Sequence, residues 1–337
     1  MSEVKIKSVK IDSITQHPNA DKLEIASIGG YTVVVQKGIF KVGEVVIHFP
    51  PDILIPGLIA DQLGVTNYLK HDVYPGDIHA TKCRVGAVRL RGQPSFGFLH
   101  KTECTEIGYD WTNYYFGVKF DQPEKITSGN QAPDHPKFHR YTDIENYRKP
   151  EFRNAIPEGE RVCITEKLHG TNCRCGLIDG EFMCGSHNVR KKDGLYWEPL
   201  NDNLRALLKN IPNGIVFGEI FGLGIQDMDY GFKTHSFRVV DISCYGVYLN
   251  WQVVKDICQQ FDVPTVPELY VGPFSHQIVQ ELVDGPTTLG TPLCKFKGRE
   301  GIVIKPLIEQ YSKIVGGRLI LKAVSVDYLQ RRTSDSH

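Results

Sequence analysis

Short runs rich in β-branched and aromatic residues dominate the first hundred positions. "KIKSVKIDSI", "LEIASIG", "YTVVVQKG", "EVVIHFP", "CRVGAVRL" and "SFGFLH" are separated by turn-forming residues, the pattern of half-buried strands. Their close spacing predicts a small barrel or sandwich over residues 1–105. The pattern lapses after Glu106. Pro123, Pro133, Pro136 and the polar run "SGNQAPDHPKFHR" predict a linker over 106–146. From Tyr147 onward, strand-like "ERVCITEK", "GIVFGEIFG", "SFRVVDIS", "EGIVIK" and "RLILKAVS" mix with helical periodicity in "DNLRALLKNI", "WQVVKDICQQF" and "SHQIVQELV", and Asp179-Gly180 marks a hairpin. Without a regular βαβ alternation, this predicts an α+β domain over 147–337, built of antiparallel sheets flanked by helices.

Composition narrows the function classes. The 337 residues are 41% hydrophobic and 23% charged, as in ordinary globular chains of two domains. Net charge is zero, so any nucleic-acid contact must come from local basic patches rather than a global field. The clusters "VRKK" (Val189 to Lys192), "KFKGR" (Lys295 to Arg299) and "QRR" (Gln330 to Arg332) supply candidates. The start "MSEVKIKSVKID" has no apolar core of signal-peptide length, and no window nears the roughly 20 apolar residues of a membrane span. An intracellular, cytoplasmic protein that contacts no membrane is expected. The nine cysteines lack any Cys-x-x-Cys pair and are expected to be reduced, half-buried hydrophobes.

The stretch "ITEKLHGTNCRCG", Ile164 to Gly176, carries the first chemical signal. Strand alternation puts Cys163, Thr165 and Lys167 on one face, leaving Lys167 at a strand end before a turn. Gly170 permits close backbone approach, and Thr171 and Asn172 supply short polar groups that can reach a ligand. A lysine with a reference pKa near 10.4 is only about 0.1% neutral at pH 7.4, and only the neutral amine attacks phosphorus. A nucleophilic Lys167 therefore needs neighbours that disfavour its ammonium.

Those neighbours follow in order along the chain. "EKLHGTN" resembles the first motif of the covalent nucleotidyltransferases, the superfamily of RNA ligases, DNA ligases and mRNA capping enzymes. "FGEIFG" (Phe217 to Gly222), "FRVVDI" (Phe237 to Ile242), "EGIVIK" (Glu300 to Lys305) and "LILK" (Leu319 to Lys322) are similar to its motifs III, IIIa, IV and V. His169 followed by Gly-Thr-Asn looks like the RNA-ligase-2 branch. "HPNADKLEIASIGGYTVVVQKG" (His17 to Gly38) resembles the OB-fold of tRNA-binding modules. An OB-type barrel ahead of the transferase domain is the architecture of Deinococcus-type RNA ligases, which this chain resembles from end to end.

The resemblance implies site residues and partners. Lys167 takes AMP from ATP; Lys305 and Lys322 are catalytic cations at the phosphates. Glu219 and Glu300 hold Mg²⁺ or Mn²⁺, suited to hard carboxylate oxygens; His169, where many relatives have Asp, either holds a metal-bound water or packs the turn. The Glu166 backbone contacts adenine, Asn172 the ribose or phosphate, and Arg148 the phosphates. Phe237 is a candidate adenine platform, because the usual aromatic position before Asp241 is Val240 here. Arg190 replaces the usual motif Ia arginine, since the chain reads Ser186-His187-Asn188, and Arg318 covers for a motif V lysine replaced by Ile320. Glu300 and Lys305 stand five apart, so a flat strand points them to opposite faces unless a bulge or twist intervenes.

The partner implied is RNA with 3′-OH and 5′-phosphate ends, as a nick in duplex or templated RNA, sealed by a monomer. Lys22, Lys37 and Arg91 are candidate phosphate contacts of the OB-like segment. Fifteen residues follow Lys322, too few for the C-terminal OB domain of a capping guanylyltransferase. A tRNA-binding accessory protein with a decayed catalytic domain is the alternative from another class.

Overall fold

The computed structural model describes residues 4–72, 82–120 and 130–330. The chain divides into two compact units, one of residues 1–123 with 146–154 and the other of 124–145 with 155–337.

The first unit is built of short antiparallel strands. Val45–Phe49 pairs with both Lys7–Lys10 and Phe98–Lys101, and Leu23–Ile28 lies between Ser13–Gln16 and Tyr31–Gln36. Ile53–Pro56 joins Lys82–Arg84 and Val118–Lys119, and Ala87–Leu90 forms a hairpin with Gln93–Phe96. Inward-facing Ile6, Ile47, Phe49, Ile53, Ile55, Cys83 and Val85 make its core, as alternation requires. The His17 turn is stitched to the 87–96 hairpin: His17 Nε2 meets the Leu90 carbonyl at 3.0 Å, and Asn19 donates to the Arg91 carbonyl at 3.0 Å. Lys37 N donates to the Lys22 carbonyl at 3.0 Å, and Lys22, Lys37 and Arg91 are exposed.

The second unit holds two antiparallel sheets. One runs in the order Arg190–Lys191, Glu181–Ser186, Thr171–Ile178, Gly214–Gly222, His235–Cys244, Val247–Tyr248. The other carries Leu321–Val324, Gly301–Pro306, Arg161–Lys167 and Glu268–Pro273 as successive neighbours. Helices Asp202–Lys209 and Trp251–Gln260 turn their buried Leu204, Leu207, Leu208, Trp251 and Val254 onto the first sheet. Asn201 caps the former helix by accepting from Leu204 N, as a short polar side chain at that position does. Between the sheets Phe217 and Ile320 pack with Val240 and Val303, so the facing surfaces are welded by apolar contact at one end.

All nine cysteines are unpaired. Among the described residues, no helix is long and apolar enough to cross a membrane.

Candidate active site

Lys167 ends its strand opposite Gly301, and its Nζ donates to Glu300 Oε1 at 2.5 Å. Glu300 reaches it from just outside the next strand because Gly301 has φ +157° and sits where a Cβ would lie 2.2 Å from the Ala323 carbonyl. Only glycine accepts that close approach. The second carboxylate oxygen of Glu300 is buried without a hydrogen-bond partner, a costly state for an ionised group.

The turn after Lys167 brings in the opposite sheet. A Cβ on Gly170 would lie 2.1 Å from the Ile220 carbonyl and 3.0 Å from Glu219 Cγ, so glycine lets the turn press onto the Glu219 strand. Asn172 stands directly opposite Glu219 in register, and its Oδ1 is likewise buried and unpartnered. Burial pushes the Glu219 carboxyl up to about 8; Lys167 and the Gly170 N–H oppose the shift and Glu300 adds to it. Glu219 thus lies buried within electrostatic range of both Lys167 and Glu300.

That donor set fits a hard divalent cation, which would satisfy the orphaned Glu300 oxygen and relieve the repulsion. Among the described residues no cluster of three or more His, Cys, Asp or Glu side chains forms a ready-made cage. Two carboxylates completed by water and substrate oxygens match the way Mg²⁺ is usually held.

His169 differs from the expected metal-side role. Its ring is buried, with Nε2 2.7 Å from Asp227 Oδ1 and Nδ1 2.7 Å from the Tyr328 hydroxyl. Both nitrogens are engaged, which leaves neither for a metal-bound water in this arrangement. Its backbone N–H donates to the Tyr230 hydroxyl at 2.6 Å.

Residues 160–324, spanning both sheets and including Lys167, His169, Asn172, Glu219 and Glu300, match the RNA ligase family model. The chain carries an RNA ligase domain. Residues 4–102 match an OB-fold domain model, so the RNA ligase domain follows an N-terminal OB-fold. The structure is similar to that of Naegleria gruberi RNA ligase. A lysine-to-alanine variant with ATP and Mn matches at 24% identity and TM-score 0.79, over 98% of this chain and 99% of that one. A lysine-to-methionine variant with AMP and Mn matches at 24% and 0.79, over 97% and 98%, and the protein with PPi at 24% and 0.77, over 96% and 97%. At that identity the likeness is one of fold. No curated protein matches the chain.

In the RNA ligase domain Lys322 lies across from Val303, which lies across from Thr165. Alternation places Lys322 and Lys167 on the same sheet face, and strand spacing separates their Cα atoms by about 12 Å, within reach of two long side chains converging on a phosphate. Lys305 shares that face but is placed otherwise than its expected phosphate contact requires. It sits opposite Cys163, about 13 Å along the strand from Lys167, and its ammonium is buried against Asp241 and over the Trp251 ring. Arg318 joins the same buried network, donating to Asp241 Oδ2 at 2.9 Å and to both oxygens of Glu309 while stacking on Tyr248. Burial pushes Asp241 upward, but Lys305 and Arg318 together hold it below the ordinary carboxylate range. Both cations are therefore committed to this ion cluster rather than to a substrate phosphate.

Phe237 also departs from expectation. It pairs with Ile220, whose face is opposite to that of Glu219, and its ring covers Gly218, where a Cβ would lie 2.3 Å away. There it lines a separate cavity of about 280 Å³ with Leu204 and Val263. The ladder slips between Phe217 and Gly218, and that bulge carries Val240 into contact with the intersheet cluster containing Val303. Val240 and Val303 are both part-buried against that cluster.

The remaining expected residues are distributed. Glu166 is buried, its carboxylate accepting from Thr287 Oγ1 at 2.5 Å and from Thr288 N and Oγ1 at 2.9 and 2.7 Å, so its side chain anchors the loop that leads to Glu300. Arg190 pairs with Glu181 at 2.6 Å on the edge strand. Arg148 belongs to the other unit and lies over the Phe96 ring. Of the basic clusters, Lys191 and Arg299 are buried, Arg299 donating to the Leu282 and Pro286 carbonyls; Arg331 and Arg332 lie outside the described residues. Asp227, Tyr328, Thr287 and Thr288 escaped sequence reasoning, since each acts through a contact between distant segments.

Proposed function

We propose that the chain is an ATP-dependent RNA ligase joining 3′-OH to 5′-phosphate RNA ends, with a nick in duplex or templated RNA as substrate, acting as a monomer in the cytoplasm. The observation that carries this reading is a strand-end lysine, Lys167, bound to Glu300 at 2.5 Å with the buried Glu219 of the facing sheet in electrostatic range. The family match and the ATP, AMP and Mn of the similar ligase structures support it.

The reaction class is phosphoryl transfer in three steps. Lys167 Nζ, as the neutral amine, attacks the α-phosphorus of ATP in line with departing pyrophosphate, giving lysyl-AMP. The RNA 5′-phosphate oxygen then displaces Lys167 to form an AppRNA end. The 3′-hydroxyl finally displaces AMP to make the phosphodiester. Glu300 and Glu219 would hold Mg²⁺ or Mn²⁺, which supplies charge neutralisation for the phosphates and disfavours the Lys167 ammonium. Lys322 stabilises charge growing on the phosphate oxygens, Asn172 orients ribose or phosphate through its unpartnered oxygen, and Val240 and Val303 flank the base near the Glu166 backbone. Arg148 is assigned to the phosphates by the family resemblance. Lys22, Lys37 and Arg91 of the OB-fold contact RNA phosphates, which makes binding salt-sensitive.

Incubation with α-labelled ATP or GTP and Mg²⁺ or Mn²⁺, read on a denaturing gel beside Lys167→Ala, tests the reading. Lys167-dependent label from ATP is expected, followed by sealing of nicked RNA. Label from GTP would favour a guanylyltransferase, and no label from either would favour an RNA-binding accessory protein.

A further inference from the structure

The turn that follows the nucleophile is gripped from two directions by residues with no role in the mechanism above. From the connection between strands Gly214–Gly222 and His235–Cys244, Asp227 binds His169 Nε2 at 2.7 Å, Tyr230 accepts from His169 N at 2.6 Å, and the Gln226 amide donates to the Gly170 carbonyl. From helix Val326–Gln330, the Tyr328 hydroxyl meets His169 Nδ1 at 2.7 Å and its ring stands edge-on to the imidazole at 5.4 Å. His169 and Asp227 side chains are only 7% and 8% exposed, so water does not compete for these bonds.

We infer that Asp227, His169 and Tyr328 form a positioning chain that fixes the Lys167 turn to the helix following motif V. This rests on the ligase reading given above and adds two positioning residues, Asp227 and Tyr328, to it. A carboxylate can only accept, so the Nε2–H points at Asp227 and a neutral ring accepts the Tyr328 O–H at Nδ1. The imidazole is then locked in one tautomer and one rotamer. The helix end of the chain is itself anchored: Asp284 Oδ1 accepts from Ser325 Oγ at 2.6 Å and Val326 N at 3.0 Å, and Ser325 N donates to the Glu300 carbonyl at 2.8 Å. Since that helix directly follows the strand bearing Lys322, one short segment holds the nucleophile turn, the carboxylate facing Lys167 and the phosphate-side lysine in a common frame. In-line attack loses rate steeply when the nucleophile wanders by about 1 Å. The histidine also keeps the negative charge of Asp227 one ring further from the Lys167 turn than an aspartate at position 169 would.

The test is single-turnover lysyl-AMP formation in the full chain with Tyr328→Phe, Asp227→Ala and the double variant. Tyr328→Phe keeps the ring and removes one hydroxyl; it is expected to lower the rate constant at saturating ATP about ten-fold, with the ATP concentration for half-maximal rate changed less than two-fold and the thermal midpoint preserved. The double variant should be little slower than the worse single one, as members of one chain behave. Nitrogen NMR of wild-type protein should show His169 as a fixed Nε2–H tautomer, a readout that needs no variant to fold. A Tyr328→Phe rate within two-fold of an active wild type, or a His169 ring averaging between tautomers, would overturn the chain and leave the ligase reading standing. Failure of wild-type protein to take label from ATP would overturn that reading itself, and this inference with it.

Discussion

Lys167 Nζ and Glu300 Oε1 lie 2.5 Å apart, while the other oxygen of the same carboxylate is buried and unpartnered. The contact holds the amine in place. A divalent cation held by Glu300 and Glu219 would satisfy the unpartnered oxygen and compete with Lys167 for this carboxylate.

Glu300→Gln and Glu219→Gln should each lower Lys167 labelling by at least 100-fold at millimolar Mg²⁺, a loss of roughly 3 kcal/mol or more of transition-state stabilisation. Titrating Mg²⁺ or Mn²⁺ into wild type and variants checks it. Chelation should abolish wild-type labelling.

The Glu219 carboxyl, raised to about 8, gives a signed pH prediction for metal-free protein. A carboxyl with a folded pKa above its unfolded value binds the extra proton in the native state. Its stabilisation is full below the unfolded pKa near 4.3 and is lost as pH rises through about 8. Urea unfolding should show stability falling from about pH 4.3 to about 8 and levelling off above that, and Glu219→Gln should flatten that slope. Metal binding below pH 8 should release close to one proton, measurable by calorimetry in buffers of different ionisation heat.

Gly170→Ala places a Cβ 2.1 Å from the Ile220 carbonyl and 3.0 Å from Glu219 Cγ. Backbone must move, at a cost of about 2–4 kcal/mol, and Glu219 moves with it. A lowered thermal midpoint together with loss of labelling is expected.

Lys305 and Lys322 should separate cleanly. Truncating a partner in a buried ion cluster costs about 3–5 kcal/mol, so Asp241→Ala or Lys305→Ala should act first on stability. Lys322→Ala should leave the thermal midpoint nearly unchanged yet slow labelling by 100-fold or more. Parallel unfolding and labelling curves distinguish the two.

These contrasts mark where the sequence was legible. Lys167, Asn172 and Glu219 could be placed because the strand end, the glycine turn and the motif order are local features, and register then set Asn172 opposite Glu219. The odd spacing of Glu300 and Lys305 already implied different surroundings, and Gly301 at φ +157° is the bend that turns Glu300 toward Lys167. Phe237 is legible only as the nearest aromatic residue; it pairs with Ile220, and the one-residue bulge beside Phe217 that shifts the register at Val240 leaves no local signal in the sequence. The partners of Arg318, Glu309 and Asp241, and those of His169, Asp227 and Tyr328, are fixed by tertiary packing that no spacing rule reveals, so the sequence could not commit Arg318 to an ion cluster or choose between a metal-side and a packing place for His169.

The partners of the nucleophile turn are drawn from far along the chain: Lys167 and Glu300 are 133 residues apart, and His169 and Tyr328 are 159 apart. Contacts of such long range pay a large loop-closure entropy and tend to form late. A newly made chain is therefore expected to take no label until helix Val326–Gln330 has docked, which would make covalent labelling of Lys167 during refolding a clock for completion of the native state. A ribosome-bound nascent chain ending before Tyr328 would take up label poorly, even with every nucleotide-facing residue through Lys322 already synthesised.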